Sequence, residues 1–234
     1  MAPNVSHPVL ITFSGMDGSG KSTQIENLCA SLVAAGLDVS RVTFWDDVVV
    51  LSKWRASFSH KFLKSTGEVG APGKPARRND KNKRAWYLLV ARSALYVLDA
   101  LNLRSAVNRA RTDSASIVVF DRYIYDQLAT LPINAFTKAY ERLVLYIAPK
   151  PDIAFVLDAE PEVARERKPE YPIDFLHEYR ASYFALCGLA GLVLIPPGLL
   201  DEVQSEIVRR VNAYCGIKHP DQPSAAGLPS ATAA

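Results

Sequence analysis

Nine consecutive residues, Gly15-Met16-Asp17-Gly18-Ser19-Gly20-Lys21-Ser22-Thr23, place one acidic, one basic and three hydroxyl side chains among three glycines. The spacing is G-x-x-x-x-G-K-S, and it suits an anion wrapped by backbone N–H groups. Gly15, Gly18 and Gly20 let the chain curl closely, Lys21 reaches outer phosphate oxygens, and the Ser22 hydroxyl is a magnesium ligand. Asp17, Ser19 and Thr23 complete the same loop. A compact apolar run, Val9 to Phe13, precedes it. A helical pattern with Ile25, Leu28, Cys29, Leu32 and Val33 on one face follows. Strand, loop and helix in that order add the positive end of a helix dipole behind the loop.

Further candidates sit where other strands end. Ser116 to Phe120 reads as a buried strand and runs into Asp121-Arg122-Tyr123. An acid at such a tip binds magnesium or orients an acceptor hydroxyl, and Arg122 beside it can grip a phosphate with two parallel hydrogen bonds. The plain alternative is a strand-end salt bridge. Trp45-Asp46-Asp47 follows a second strand, Asp38 to Phe44, and ligands of parallel sheets bind beyond such ends. Arg92 lies inside the apolar helix Ala85 to Val107, where a charge is costly unless paired, used or snorkelled to the surface. Arg165 and Arg167 fall in a helix, Pro161 to Lys168, broken by Pro169 and Pro172. That broken segment, about 161–174, reads as a lid that excludes water.

The elements that must carry these groups fit one α/β domain over residues 1–215. Of 234 residues, 49% are hydrophobic and 22% charged, enough apolar mass for a large core. A net charge of +3 is too mild to imply nucleic acid by itself. Cys29, Cys187 and Cys215 are odd in number and far apart, which suggests neither a disulfide framework nor a zinc site and fits a cytoplasmic protein. No signal peptide, membrane span, repeat or histidine metal spacing is read. The first helix runs 21–35 and stops at Gly36. Val48 to Leu63 has a helical pattern. Residues 64–84 are rich in Gly, Pro, Lys and Arg and read as a flexible loop, with an electropositive flap as the sharper alternative. Phe136 to Tyr146 and Phe175 to Leu186 read as helices, and Asp152 to Leu157 and Gly191 to Ile195 as strands. Leu200 to Tyr214 closes the domain, and the Pro-, Ser- and Ala-rich stretch 216–234 reads as disordered.

Three segments together resemble the thymidylate kinases among the P-loop nucleoside-monophosphate kinases. They are Phe13 to Gln24; Asp121-Arg122-Tyr123; and Pro151 to Asp158 followed by Pro161 to Arg167 and Phe175 to Tyr183. The resemblance covers roughly residues 9–212. It implies a P-loop fold with a five-stranded parallel sheet in the order 2-3-1-4-5, and transfer of the γ-phosphoryl group of ATP to a monophosphate, dTMP by the family name. It implies Mg2+, Lys21 and Ser22 at the donor phosphates and Asp17 at the acceptor sugar. Asp121 and Arg122 fall at the acceptor phosphate, and Pro197 in the turn Pro196-Pro197-Gly198 falls at adenine. Some members carry an arginine where Gly18 stands. Members without it place that arginine in the lid, here Arg165 or Arg167. A homodimer through the long helices is also implied.

This chain departs from the family on the acceptor side. Phe44-Trp45-Asp46-Asp47 stands where the family has a phosphate-binding arginine, a role left to Arg55. Leu88, four residues before Arg92, stands at the thymine-stacking position, with Trp86 and Tyr87 adjacent. Asp126 replaces a frequent Ser. Asp46, Asp47 and Asp126 would repel a phosphate but could hydrogen-bond hydroxyls. The sequence therefore leaves two alternatives to dTMP phosphorylation: the same machinery acting on another small acceptor, or a nucleotide-binding protein without transfer.

Overall fold

The computed structural model describes residues 7–50, 86–112 and 115–216. Strand β1 (Val9–Gly15) is buried along its whole length. Such a strand carries apolar side chains to both faces of a sheet covered on both sides. It leads through the glycine loop into α1 (Lys21–Ala34), which ends at the left-handed Gly36. Strand β2 (Val39–Thr43) follows and runs into a single π-helical turn, Phe44–Val48. Helix α2 (Trp86–Thr112), strand β3 (Ile117–Asp121) and the one-turn helix α3 (Ile124–Leu128) come next. Then come α4 (Ala135–Ile147), β4 (Ile153–Leu157), α5 (Pro161–Arg167), α6 (Ile173–Ala190), β5 (Val193–Ile195) and α7 (Leu200–Cys215).

The five strands form one parallel sheet in the order β2-β3-β1-β4-β5, the predicted arrangement of a P-loop α/β fold. Its register decides what meets at the top. Phe13 and Thr43 both pair with Asp121, Gly15 pairs with Leu157, and Leu157 with Ile195. All five strands therefore end at one level, where ligands of open α/β sheets bind. Alternate residues of each strand feed two cores. Ile11, Phe13, Val119 and Phe155 pack under α1 and α7. Leu10, Val118, Phe120 and Val156 pack under α2, α3, α4 and α6.

Two differences from the sequence reading bear on the site. Helix α3, directly after Asp121-Arg122-Tyr123, has only five residues and was not anticipated. The helix expected from Val48 does not begin there: Val48 closes the π-helical turn and Val49 is extended. Helix α2 fixes this stretch, because Asn102 donates to the Val48 carbonyl at 2.5 Å and the Val50 N–H donates to buried Asp99 at 2.8 Å. Arg55, the rest of that expected helix, the basic loop 64–84 and the stretch after Gly216 lie outside the described residues. No helix among the described residues is long and apolar enough to cross a membrane.

Candidate active site

The glycine loop adopts a shape that only glycines permit at two points. Gly15 has φ +139°, and a Cβ there would collide with the Leu157 carbonyl of the neighbouring strand. Gly18 has φ +87°, and its Cβ would lie 2.5 Å from the Ala164 carbonyl of α5. The loop thus nests against both the sheet and the lid helix. Gly20, at φ +87°, turns the chain into α1, whose first turn has neither a side-chain cap nor an acidic residue. The N–H groups of that turn are left to face an anion.

Three cations converge on this loop from separate elements. Lys21 donates to the carbonyls of Gly15 at 2.8 Å and Met16 at 2.6 Å. Burial, helped by the charge of Arg122, lowers its pKa to about 8. Arg122 comes from the tip of β3 and forms an ion pair with Asp17. It is the sole non-glycine with positive φ among the described residues, at 69°, and its N–H donates to the Phe13 carbonyl at 2.9 Å. Such a conformation costs of order 1 kcal/mol and persists where the surroundings over-determine it. Burial opposes the charge of Arg122, but Asp126 and then Asp17 more than offset this, and its pKa is raised. Burial likewise pushes the Asp17 carboxyl up, and Arg122 and Lys21 overcome it, so that group stays below its ordinary range. Arg167, from the lid helix, donates to the Gly18 carbonyl at 3.2 Å.

These residues line a cleft of about 600 Å3 with Gly20, Ser22, Thr23, Thr43, Trp45, Asp121, Lys168 and Leu200. An adjoining recess of about 220 Å3 runs from Ser19, Gly20 and Gln24 past Asp158 and Glu160 to Pro196-Pro197-Gly198. Arg167 lines both, whereas Arg165 lines neither. Ser19 Oγ and Gln24 Oε1 are buried at the recess without a hydrogen-bond partner. Unpartnered buried polar atoms are costly, and here they border a space that a polar ligand can fill. Under the lid, Arg180 of α6 makes paired hydrogen bonds to Asp158 (2.8 and 2.6 Å) and to Glu160 (2.7 and 2.8 Å). It ties the residues that precede α5 to α6.

The acceptor-side candidates fare unevenly. Trp45 is 39% exposed and faces the cleft, its ring edge-on to Phe44. Asp121 also lines it, and one carboxylate oxygen accepts from Arg41 at 2.7 Å, so the strand-end salt bridge exists as well. Arg92 is not free: it donates to Thr130 at 2.7 Å and Tyr96 at 2.9 Å and stands over the Tyr96 ring. It does not line the cleft as the described residues define it. Leu88 belongs to α2, but its side chain lies outside the described residues. Asp47 is taken up by the Thr43 N–H at 2.7 Å. Asp126, expected to meet acceptor hydroxyls, is 1% exposed and is absent from the cleft wall. Arg41, Arg180 and Lys168 are not among the residues singled out from the sequence. Only the alternation of β2 could have hinted at Arg41.

Oxygen donors suited to a hard cation are present. The Ser22 hydroxyl has no hydrogen-bond partner among the described residues and shares the cleft with Asp121. Ser22 and the second Asp121 oxygen therefore fit Mg2+, directly or through water. No cluster of three or more His, Cys, Asp or Glu among the described residues could hold a metal without help from a ligand.

A parallel sheet in this order, a G-x-x-x-x-G-K-S loop at its central strand and an arginine-bearing helix, α5, against that loop are features of the P-loop kinase class. No protein-family model matches the chain. It is 26% identical to the "Probable thymidylate kinase" of Archaeoglobus fulgidus over 218 residues, 90% of this chain and 98% of that one. It is 29% identical to the "Thymidylate kinase" of Chlorobium luteolum over 222 residues, 90% and 92% of the two chains. A third relative, the "Probable thymidylate kinase" of Methanobrevibacter smithii, is 26% identical over 212 residues, 88% and 96%. The likeness to these thymidylate kinases extends over about nine-tenths of the chain.

Proposed function

We propose that the chain transfers the γ-phosphoryl group of ATP to dTMP in a Mg2+-dependent reaction. The observation that carries this reading is the convergence of Lys21, Arg122 and Arg167, from three elements, on one glycine loop. Phosphoryl transfer asks the protein mostly for positioning and charge stabilisation. Each cation rests on an acceptor of the loop itself, the carbonyls of Gly15, Met16 and Gly18 and the Asp17 carboxylate. Phosphate oxygens would replace those acceptors without large movement. Gly15, Gly18, Ser19, Gly20 and Thr23 shape the loop around the donor phosphates, and adenine occupies the recess beside Pro197. Magnesium held by Ser22 and Asp121 supplies neutralisation of the donor phosphates. Lys21 stays on the outer phosphates as they separate. Arg122 holds the acceptor phosphate, Asp17 the acceptor sugar, and Trp45 walls the acceptor side. Arg55, Leu88 and Arg92 are assigned to that side by the family resemblance alone.

Of the two lid arginines, Arg167 is assigned to the transferring group, because it touches the loop and borders both spaces. Gly18 supports this: the loop carries no arginine of its own, and the missing side chain is what admits α5. Residues 1–215 form one kinase domain with a lid at 161–174. The enzyme is cytoplasmic and homodimeric through α2, whose Val90, Leu98 and Leu101 are exposed. The alternative acceptor class loses its support from Asp126, which is buried with both carboxylate oxygens satisfied within the protein.

The test is ADP release from Mg-ATP with dTMP, dUMP and the other nucleoside monophosphates added in turn. Stimulation by dTMP above all others is expected. Stimulation by an unphosphorylated acceptor alone, with ATP still bound, would contradict the reading.

A further inference from the structure

Arg122 is held by two carboxylates of opposite character. Asp17 lies on the phosphate loop and borders the cleft, where an arriving anion can displace it. Asp126 lies behind, with its side chain wholly buried, and accepts from Arg122 at 3.2 Å. Its Oδ2 takes the Ser14 hydroxyl at 2.6 Å and the Tyr123 N–H at 3.0 Å, and its Oδ1 takes the Tyr183 hydroxyl at 2.9 Å as well as the guanidinium. Each oxygen of this buried carboxylate therefore has two donors. They come from β1, from the start of α3, from α6 and from Arg122 itself. A carboxylate satisfied in this way is fixed in place.

The network continues into α6. The Tyr179 hydroxyl donates to the Asp126 carbonyl at 3.1 Å, and the Tyr183 and Tyr179 hydroxyls lie 3.1 Å apart. The rings of Tyr171, Phe175, Tyr179 and Tyr183 succeed one another at 5.1, 5.4 and 4.9 Å. Phe175, Tyr179 and Tyr183, four residues apart within α6, lie on one side of that helix. Tyr171 stands in the segment between α5 and α6, so the ladder runs from the lid to Asp126.

We propose that Asp126 is the positioning residue for Arg122, and that Tyr179 and Tyr183 tie it to the helix that leaves the lid. When an acceptor phosphate takes the place of Asp17, Asp126 keeps the guanidinium aimed into the cleft. Asn cannot do the same work, because its NH2 would face the donors of Arg122 and Tyr183 in one orientation and the Tyr123 N–H and Ser14 in the other. The inference rests on the reading of Arg122 as the acceptor-phosphate ligand.

The experiment compares wild type, Asp126→Asn and Tyr183→Phe by steady-state kinetics with Mg-ATP and dTMP, and by 15N NMR of the Arg122 guanidinium. The Arg122 signals are assigned by their loss in Arg122→Lys. Misaiming a positioned group costs roughly 10-fold to 100-fold. For Asp126→Asn the dTMP KM is expected to rise about tenfold or more, while the ATP KM stays within about twofold. Wild type should show slowly rotating, resolved Nη lines, which should average to one in Asp126→Asn. Tyr183→Phe removes a single hydroxyl and preserves the packing. It should raise the dTMP KM about threefold and broaden the same lines, so the proposal stays testable if the Asp126 variant does not fold. Nη lines unchanged in the folded variants, or dTMP and ATP KM rising together, would overturn it. If wild type phosphorylates no monophosphate, the functional reading fails and the NMR lines alone decide the role of Asp126.

Discussion

The two halves of the cleft are built in different ways. The donor half is made largely of backbone: glycines pressed against the carbonyls of Leu157 and Ala164, and an uncapped helix start. The acceptor half is made of side chains that neutralise one another: Asp17 and Asp126 on Arg122, and Asp121 on Arg41. The first is a fixed receptor for an anion of any carrier. In the second, charge is already balanced, and a ligand must exchange with a protein group to enter. An exchange of that kind makes binding depend on what else the ligand offers, which is where selectivity arises.

The contrast sharpens at the lid. Arg167 is on the loop and Arg165 is not, so the two arginines should separate by function. Arg167→Ala is expected to lower kcat by about 10³-fold, the scale of an arginine acting on a transferring phosphoryl group. Arg165→Ala should stay within about threefold, as for a surface charge. Equal losses in both variants would remove Arg167 from the assigned role. A smaller effect is expected of Gly18→Ala. Its Cβ must push α5 away, and the lid cannot then close as before. A fall in kcat/KM of roughly tenfold is expected, with the ATP affinity of the open loop little changed. Unaltered kcat/KM would show that the lid does not close against Gly18.

The smallest effect is a pH dependence confined to the donor half. Burial, aided by Arg122, holds the free Lys21 ammonium at a pKa of about 8. A phosphate favours the charged form, so above that pH binding must take up a proton. ATP affinity should be level below about pH 8 and fall by up to tenfold per unit above it, with proton uptake seen by calorimetry in two buffers. The slope should vanish in Lys21→Met. A slope that survives in that variant would assign it to another group.

The same division explains what the sequence revealed. The loop, its strand and its helix are contiguous, so one short segment announced the strand–loop–helix unit, and the apolar runs marked the strands of the sheet. Lys21, Ser22, Asp121 and Arg122 were legible because each sits at a strand end or helix start that local pattern defines. Asp126 was not. Nothing within a few residues distinguishes a carboxylate facing a cleft from one buried among Ser14, Tyr123, Tyr183 and Arg122. Its donors include residues 112 and 57 positions away. The Arg41–Asp121 pair likewise depends on register, Thr43 opposite Asp121, which only the folded sheet supplies. Helix α3 escaped notice because five residues are too few to show a period.

The proposed reaction is direct transfer of the γ-phosphoryl group from ATP to dTMP, with Lys21 and its loop holding the phosphates. It is tested most directly by following labelled phosphate from [γ-32P]ATP in the presence of dTMP, with wild type and Lys21→Ala side by side. Label should appear in dTDP with wild type and fall by roughly 10³-fold in the variant, the scale for losing a preorganised charge at the reacting group. Label reaching dTDP equally well without Lys21, or reaching only water in wild type, would contradict the account.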